Sequence, residues 1–119
     1  MEEIPKISSA EEKLVVQRVT TTGLEKIRKI LAHYKIQKAA LFGSILRKDF
    51  APGRSDLDML MMFPQGTTYI SIAAIKRELE EQLGMKVDVA SWNGVASDKN
   101  PLRREEIFSG ARRIYDQAA

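Results

Sequence analysis

The stretch that decides the fold is LFGSILR at residues 41–47, followed by SDLDMLM at residues 55–61. The first part reads as the end of an apolar strand that leads into a Gly-Ser turn. The second part opens another strand, in which Asp56 and Asp58 are separated by a single leucine. Because side chains at positions i and i+2 of a strand point to the same face, the two carboxylates should converge on one point.

These residue types point to a metal ion and a phosphate. Two close carboxylates repel each other unless a cation lies between them, and Mg²⁺ prefers such oxygen ligands. Gly43 lets the backbone approach a phosphate closely, while Ser44 adds an amide and a hydroxyl. A third aspartate, Asp88, interrupts the β-branched run VDV at residues 87–89 and would be costly to bury unless it shares the same metal. The combination predicts phosphoryl or nucleotidyl chemistry.

Each residue also has a purely structural interpretation. A Gly-Ser pair is usually a plain turn, the first aspartate of the pair could be a turn or N-cap residue, and Ser55 could belong to an ordinary loop. Arg47 could pair with Asp49 on the surface, a contact that contributes little to stability. Asp58 and Asp88 are harder to explain in this way, since each interrupts an apolar strand. Together, the residues favour the metal site.

The composition is that of one small globular domain. The chain has 119 residues, of which 44% are hydrophobic and 29% charged, and it has no cysteine, which excludes disulfides and thiolate metal sites. No apolar run approaches the roughly 20 residues that span a bilayer, and the acidic N-terminus is unlike a secretory signal, so we expect a cytoplasmic protein. The net charge of +3 is more simply a solubility feature than a nucleic-acid-binding surface.

The apolar pattern predicts an α+β domain at residues 24–119, preceded by a segment at 1–23 whose structure the sequence leaves open. Residues 1–8 read as a loose leader, and residues 9–12 fit a capping box for a helix that the following β-branched residues disfavour. Residues 93–100 form a polar stretch with no predicted element. The other predicted elements are a helix from Leu24, a strand at 38–42, a short helix at 45–48, a strand at 57–63, a helix ended by Gly84, a strand at 87–91, a helix from Asn100-Pro101 to Gly110 and a strand at 112–115.

The order Gly43-Ser44, Arg47, Ser55-Asp56-Leu57-Asp58 and the later Asp88 resembles the signature of the polymerase-beta-like nucleotidyltransferase superfamily. The short chain is similar in particular to its minimal nucleotidyltransferase (MNT) branch, over nearly the whole of residues 24–115. In two respects the loop departs from the usual pattern. The segment before the first aspartate is one residue longer, and a lysine stands where glycine often follows the arginine. Both changes should alter phosphate or acceptor contacts more than metal binding.

The resemblance implies a polymerase-beta-like fold, with a small mixed sheet and flanking helices. It implies an enzyme that transfers a nucleoside monophosphate, AMP from the substrate ATP, to a hydroxyl, with two Mg²⁺ ions as cofactors. Two sets of residues carry over from the motif: the metal ligands and catalytic residues Asp56, Asp58 and Asp88, and the nucleotide-binding residues Gly43, Ser44, Arg47 and Ser55.

The resemblance also implies a partner. Minimal members are often the antitoxin of a toxin–antitoxin pair, with a HEPN-type toxin whose tyrosine receives the AMP. We find no second domain that could hold an acceptor, so a partner protein should supply it. Two alternatives stay open: a non-catalytic module that neutralises its partner by contact, and transfer to a small molecule or an RNA end. The last would need an acceptor pocket formed by a homo-oligomer. We expect neither a membrane nor a nucleic acid as the main partner.

Overall fold

The fold is described from a computed structural model, which covers residues 4–20 and 22–118. Residues 1–3, 21 and 119, which fall within the two predicted segments, lie outside the described residues. Within the described ranges a 3₁₀ turn, Gly43–Leu46, follows the first strand. The helices are α1 (Ser9–Arg18), α2 (Gly23–His33), α3 (Tyr69–Leu83), α4 (Trp92–Ala96) and α5 (Pro101–Gly110), and the strands are β1 (Lys38–Phe42), β2 (Leu57–Met62), β3 (Val87–Ser91) and β4 (Arg112–Asp116).

The four strands form one mixed sheet in the order β3-β2-β1-β4. β2 and β3 run parallel, joined through α3, whereas β1 is antiparallel to both β2 and β4. β2 therefore lies inside the sheet, which explains its apolar residues on both faces. The prediction of a small mixed sheet with flanking helices is confirmed.

Each face of the sheet has its own apolar core. On one face, side chains such as Met59 pack beneath α1, α2 and α3. On the other face, Leu60 packs with Trp92 of α4 and Phe108 of α5. Asp58 lies two residues before Leu60 and therefore shares this second face. The acidic side chains thus lie on the α4–α5 face, at the end of β2 that comes first in the chain.

The N-terminal segment differs from the expected loose leader. Ile4 and Ile7 are buried, and Lys6 forms a parallel bridge with Arg113 of β4. This pairing joins residues far apart in the sequence, so no local pattern indicates it. The capping box exists but begins one residue earlier than predicted: Ser8 caps α1.

Two further local elements differ from the prediction. The predicted polar stretch at 93–100 begins as α4, because the Ser91 side chain caps a short helix by accepting from the Gly94 N–H at 3.1 Å. The predicted short helix at 45–48 is instead the 3₁₀ turn at Gly43–Leu46. Among the described residues, no helix combines the length and the apolar character that a membrane crossing needs.

Candidate active site

The Gly-Ser turn and the Asp-x-Asp pair meet at one end of β1 and β2. Because these strands are antiparallel, Phe42 at the end of β1 pairs with Asp58. Gly43 follows with a φ of +80°, and a methyl group added to it would overlap the Asp58 carboxylate. Both the backbone angle and the neighbouring carboxylate therefore require glycine at this position.

Asp88 reaches the same place from the neighbouring strand. β2 and β3 are parallel, and the Cα of Asp58 pairs with that of Asp88. Asp58 is half-buried, whereas Asp88 is exposed, because β3 forms an edge of the sheet. The expectation that Asp88 is buried in an apolar strand is therefore wrong. Its exposed carboxylate is open to an incoming group from solvent.

Three carboxylates act on one another around Asp58. Burial, together with the negative charges of Asp88 and Asp56, raises the pKa of Asp58 from 3.8 to about 6. The positive charge of Arg47 acts in the opposite direction but does not offset this increase. A cation beside these carboxylates would relieve both the burial of charge and the repulsion.

The chemistry of these groups suits Mg²⁺, which takes carboxylate oxygens as ligands. Within residues 4–20 and 22–118, no three acidic, cysteine or histidine side chains are already arranged as a metal-ligand cluster. The three aspartates nevertheless fit the ion by donor type and by their mutual electrostatic influence. The exposed side chain of Asp88 acts on Asp58 through both its charge and a hydrogen bond.

The two serines of the motif have different surroundings. Ser44 lies half-exposed in the Gly43–Leu46 turn, and its carbonyl accepts from the Arg47 N–H at 2.9 Å. Ser55 closes the loop before β2, because its Oγ accepts from the Ala51 N–H at 2.8 Å. The Ser55 N–H in turn donates to the Ala51 carbonyl at 2.8 Å. Ser55 therefore shapes the loop that leads to the aspartates.

Arg47 forms an ion pair with Asp49, as the structural interpretation of this residue predicted. The ion pair has two contacts, from Nε to Oδ1 at 2.9 Å and from Nη2 to Oδ2 at 3.1 Å. The hydrogen bond raises the pKa of Arg47 and lowers the pKa of Asp49. The charge of Asp58 also acts on Arg47, so the guanidinium borders the site while it is held by Asp49.

One side chain at the site, that of Arg18, has no signal in the local sequence. Arg18 extends from α1 to the Gly43–Leu46 turn, where its Nη1 donates to the Ile45 carbonyl at 3.0 Å. The two residues are 27 positions apart in the chain. No short-range pattern could indicate this contact.

The fold and this site together define the class of protein. The family model described as "Polymerase beta, Nucleotidyltransferase" matches residues 25–119. The chain therefore belongs to the polymerase beta nucleotidyltransferase family, as its Gly-Ser turn and spaced aspartates predicted.

Three similar proteins add detail. MJ0435 of Methanocaldococcus jannaschii, provisionally named a protein adenylyltransferase, is 35% identical over 86 residues, which cover 72% of this chain and 87% of the relative. A solved structure described provisionally as a minimal nucleotidyltransferase is 31% identical with a TM-score of 0.60, covering 84% of this chain and 91% of that one. A complex of tri-AMPylated Shewanella oneidensis HEPN toxin with MNT antitoxin is similar at 20% identity and a TM-score of 0.59, covering 82% and 73%. The last likeness shows the fold alone.

Proposed function

We propose that this protein is a Mg²⁺-dependent adenylyltransferase that moves AMP from ATP to a hydroxyl of a partner protein. The observation that carries the proposal is the position of Asp58. Its half-buried carboxylate lies against Gly43 and faces the charges of Asp56 and Asp88. Such crowding is unfavourable without a cation, and perturbed carboxylates of this kind are typical of functional sites. A metal-dependent activity accounts for the arrangement.

In this proposal, Asp56, Asp58 and Asp88 hold the metal. Bound Mg²⁺ supplies positive charge to the phosphates and to the pyrophosphate leaving group. The Gly43–Leu46 turn presents backbone N–H groups and the Ser44 hydroxyl to the triphosphate. The triphosphate would therefore lie on the β1 side of Asp58.

The proposed reaction is a displacement at phosphorus. The acceptor hydroxyl oxygen bonds to the α-phosphorus of ATP, and the bond from that phosphorus to the pyrophosphate oxygen breaks. The hydroxyl proton passes to a carboxylate, for which Asp88 is suited because it is exposed beside Asp58. A hydroxyl on a second protein can reach β3 from solvent, so the acceptor would lie on the β3 side.

For the partner we propose a HEPN-type toxin, with this protein as its antitoxin. The fold likeness to an MNT antitoxin in complex with an AMPylated toxin supports this choice. The relative named as a protein adenylyltransferase supports a protein acceptor rather than a small molecule. AMP added to the toxin would be the means of neutralisation.

Nucleotide binding tests the proposal separately from the acceptor. We expect α,β-methylene-ATP, whose α–β bond cannot be cleaved by this reaction, to raise the melting temperature by about 10 °C at a hundredfold excess over its Kd. The increase should require Mg²⁺ and should be lost in Asp58→Asn. A non-catalytic binding module would show no shift in the wild-type protein, and that result would contradict the proposal.

The ion pair at Arg47 leads to a prediction about affinity for ATP. If Arg47 meets the triphosphate, Asp49 competes with the substrate for it, so Asp49→Asn should lower the KM for ATP about threefold, as expected for an exposed pair. Asp98→Asn is a matched control, because it removes an exposed ion pair with Arg103 at the start of α5. An unchanged KM in Asp49→Asn would show that Arg47 has no part in binding ATP.

A further inference from the structure

Helix α1 precedes the region that the family model matches, yet it is attached to the site. Glu11, Val15 and Arg18 follow one another at spacings of four and three, which places them on one face of the helix. Glu11 pairs with Arg112 of β4 at 2.9 Å, and Val15 is fully buried. These contacts fix the helix on the domain and direct Arg18, one turn further along, toward the Gly43–Leu46 turn.

Three backbone carbonyls converge on the Arg18 guanidinium. Its Nη1 donates to the carbonyls of Ser44 at 3.2 Å and Ile45 at 3.0 Å, and also to that of Arg47. The 3₁₀ turn is too short to pair all of these carbonyls within itself. A single charged donor therefore binds the carbonyl oxygens on one side of the turn. The opposite side of the turn faces the aspartates.

The guanidinium is itself supported by an aromatic ring. Its central carbon lies 5.1 Å from the centre of the Phe50 ring, within the range of a cation–π contact. Phe50 belongs to the segment between the turn and Asp56. Arg18 thus contacts both the turn and the loop that leads to Asp56.

An open cavity borders this loop. The cavity has a volume of about 600 Å³, and its lining includes Arg18, Phe50, Ser55, Leu83 and Lys86. Because side chains do not fill this space, the loop is held by its Ser55–Ala51 hydrogen bonds, by the packing of Phe50 against the core and by Arg18. Among these contacts, those of Arg18 also bind the Gly43–Leu46 turn.

We propose that Arg18 is a positioning residue for the triphosphate-binding turn. It acts through the backbone of Ser44 to Arg47 and does not contact the substrate. The consequence of this inference for catalysis rests on the proposed function. The effect of Arg18 on the order of the turn can be measured without any nucleotide. N-terminal helix α1 is then part of the working site, although the family match begins at residue 25.

The test compares Arg18→Met with Arg28→Met. Arg28 is a suitable control because its Nε also donates to a carbonyl, that of Ile114, at 2.9 Å, and its Nη1 pairs with Glu12. We expect Arg18→Met to speed amide hydrogen exchange at residues 44–50 about tenfold, because a charged hydrogen-bond donor is lost there. Arg28→Met should leave exchange at 44–50 unchanged. Arg18→Lys, which keeps the charge and a donor, should restore part of the protection.

A second measurement connects the turn to the nucleotide. Calorimetry with Mg²⁺ and α,β-methylene-ATP should give about tenfold weaker binding in Arg18→Met than in Arg28→Met. Phe50→Leu, which removes only the supporting ring, should change exchange and affinity in the same direction by a smaller factor. This milder variant keeps the test decisive if Arg18→Met does not fold.

The outcomes separate the two proposals. Unchanged exchange at residues 44–50 in Arg18→Met and Phe50→Leu would overturn the positioning role, as would equal changes in Arg28→Met. Faster exchange confined to 44–50 together with weaker binding supports it. If wild-type protein binds no nucleotide, the proposed function fails, whereas exchange in the turn still decides whether Arg18 positions it.

Discussion

Asp58→Asn should reduce AMP transfer about 1,000-fold or more, the scale expected when a group that stabilises transition-state charge is lost. Asparagine keeps the size of the side chain but removes the charge that we propose holds the cation. Initial rates of pyrophosphate release at saturating ATP measure the effect. Asp116→Asn, on β4 at the opposite edge of the sheet from β3, serves as the control and should retain full activity.

The same variant should be more stable than the wild-type protein when no metal is present. The pKa of Asp58 is about 6 in the folded state and 3.8 without the fold, so the folded protein binds more protons between these values. Its stability therefore falls as the pH rises from about 4 to about 6 and is constant above that range. The expected gain for Asp58→Asn above pH 6 is about 1 kcal/mol, discounted for solvent screening because the side chain is only half-buried.

Thermal unfolding in EDTA at pH 4 and at pH 8 measures this gain. The advantage of Asp58→Asn should be present at pH 8 and nearly absent at pH 4, where the wild-type carboxyl is itself largely protonated. A variant that loses both activity and stability would show that Asp58 supports the fold, and would contradict its assignment as a metal ligand.

Gly43→Ala should have the second large effect, a loss of transfer of about 100-fold. The new methyl group would overlap the Asp58 carboxylate and displace it, and the φ of +80° adds about 1 kcal/mol of backbone strain. Gly66→Ala separates the two causes, because Gly66 has a φ of +85° but nothing within 4 Å of an added methyl. Both variants should lose similar stability from strain, while only Gly43→Ala loses activity.

Rates of pyrophosphate release and melting temperatures of the two glycine variants test this prediction. Equal activity in Gly43→Ala and Gly66→Ala would show that the close approach of Gly43 to Asp58 is unimportant for catalysis.

The regular elements could be predicted from local signals. β1 at 38–42, β3 at 87–91 and α5 at 101–110 have the predicted bounds, because apolar runs and strong end signals define them. Gly84 ends α3 in a left-handed conformation, and the Asn100 side chain accepts from the Leu102 N–H at 3.0 Å. Each signal acts within a few residues, which is the range that a sequence pattern can report.

Features that depend on distant contacts could not be predicted. The pairing of Lys6 with Arg113 and the contacts of Arg18 with the Gly-Ser turn join parts of the chain that only the folded sheet brings together. The closeness of Asp58 and Asp88 could be predicted from the sequence, because both residues were assigned to strands. The exposure of Asp88 could not be predicted, since it depends on the position of β3 at the edge of the sheet.

The most direct test of the proposed function is label transfer from ATP to the product of the neighbouring gene. Purified protein, Mg²⁺ and the partner are incubated with ATP labelled at either the α- or the γ-phosphate. The account predicts label on the partner from α-labelled ATP only, dependent on Mg²⁺ and absent with Asp58→Asn. Label from the γ-phosphate, or equal labelling by Asp58→Asn, would contradict it.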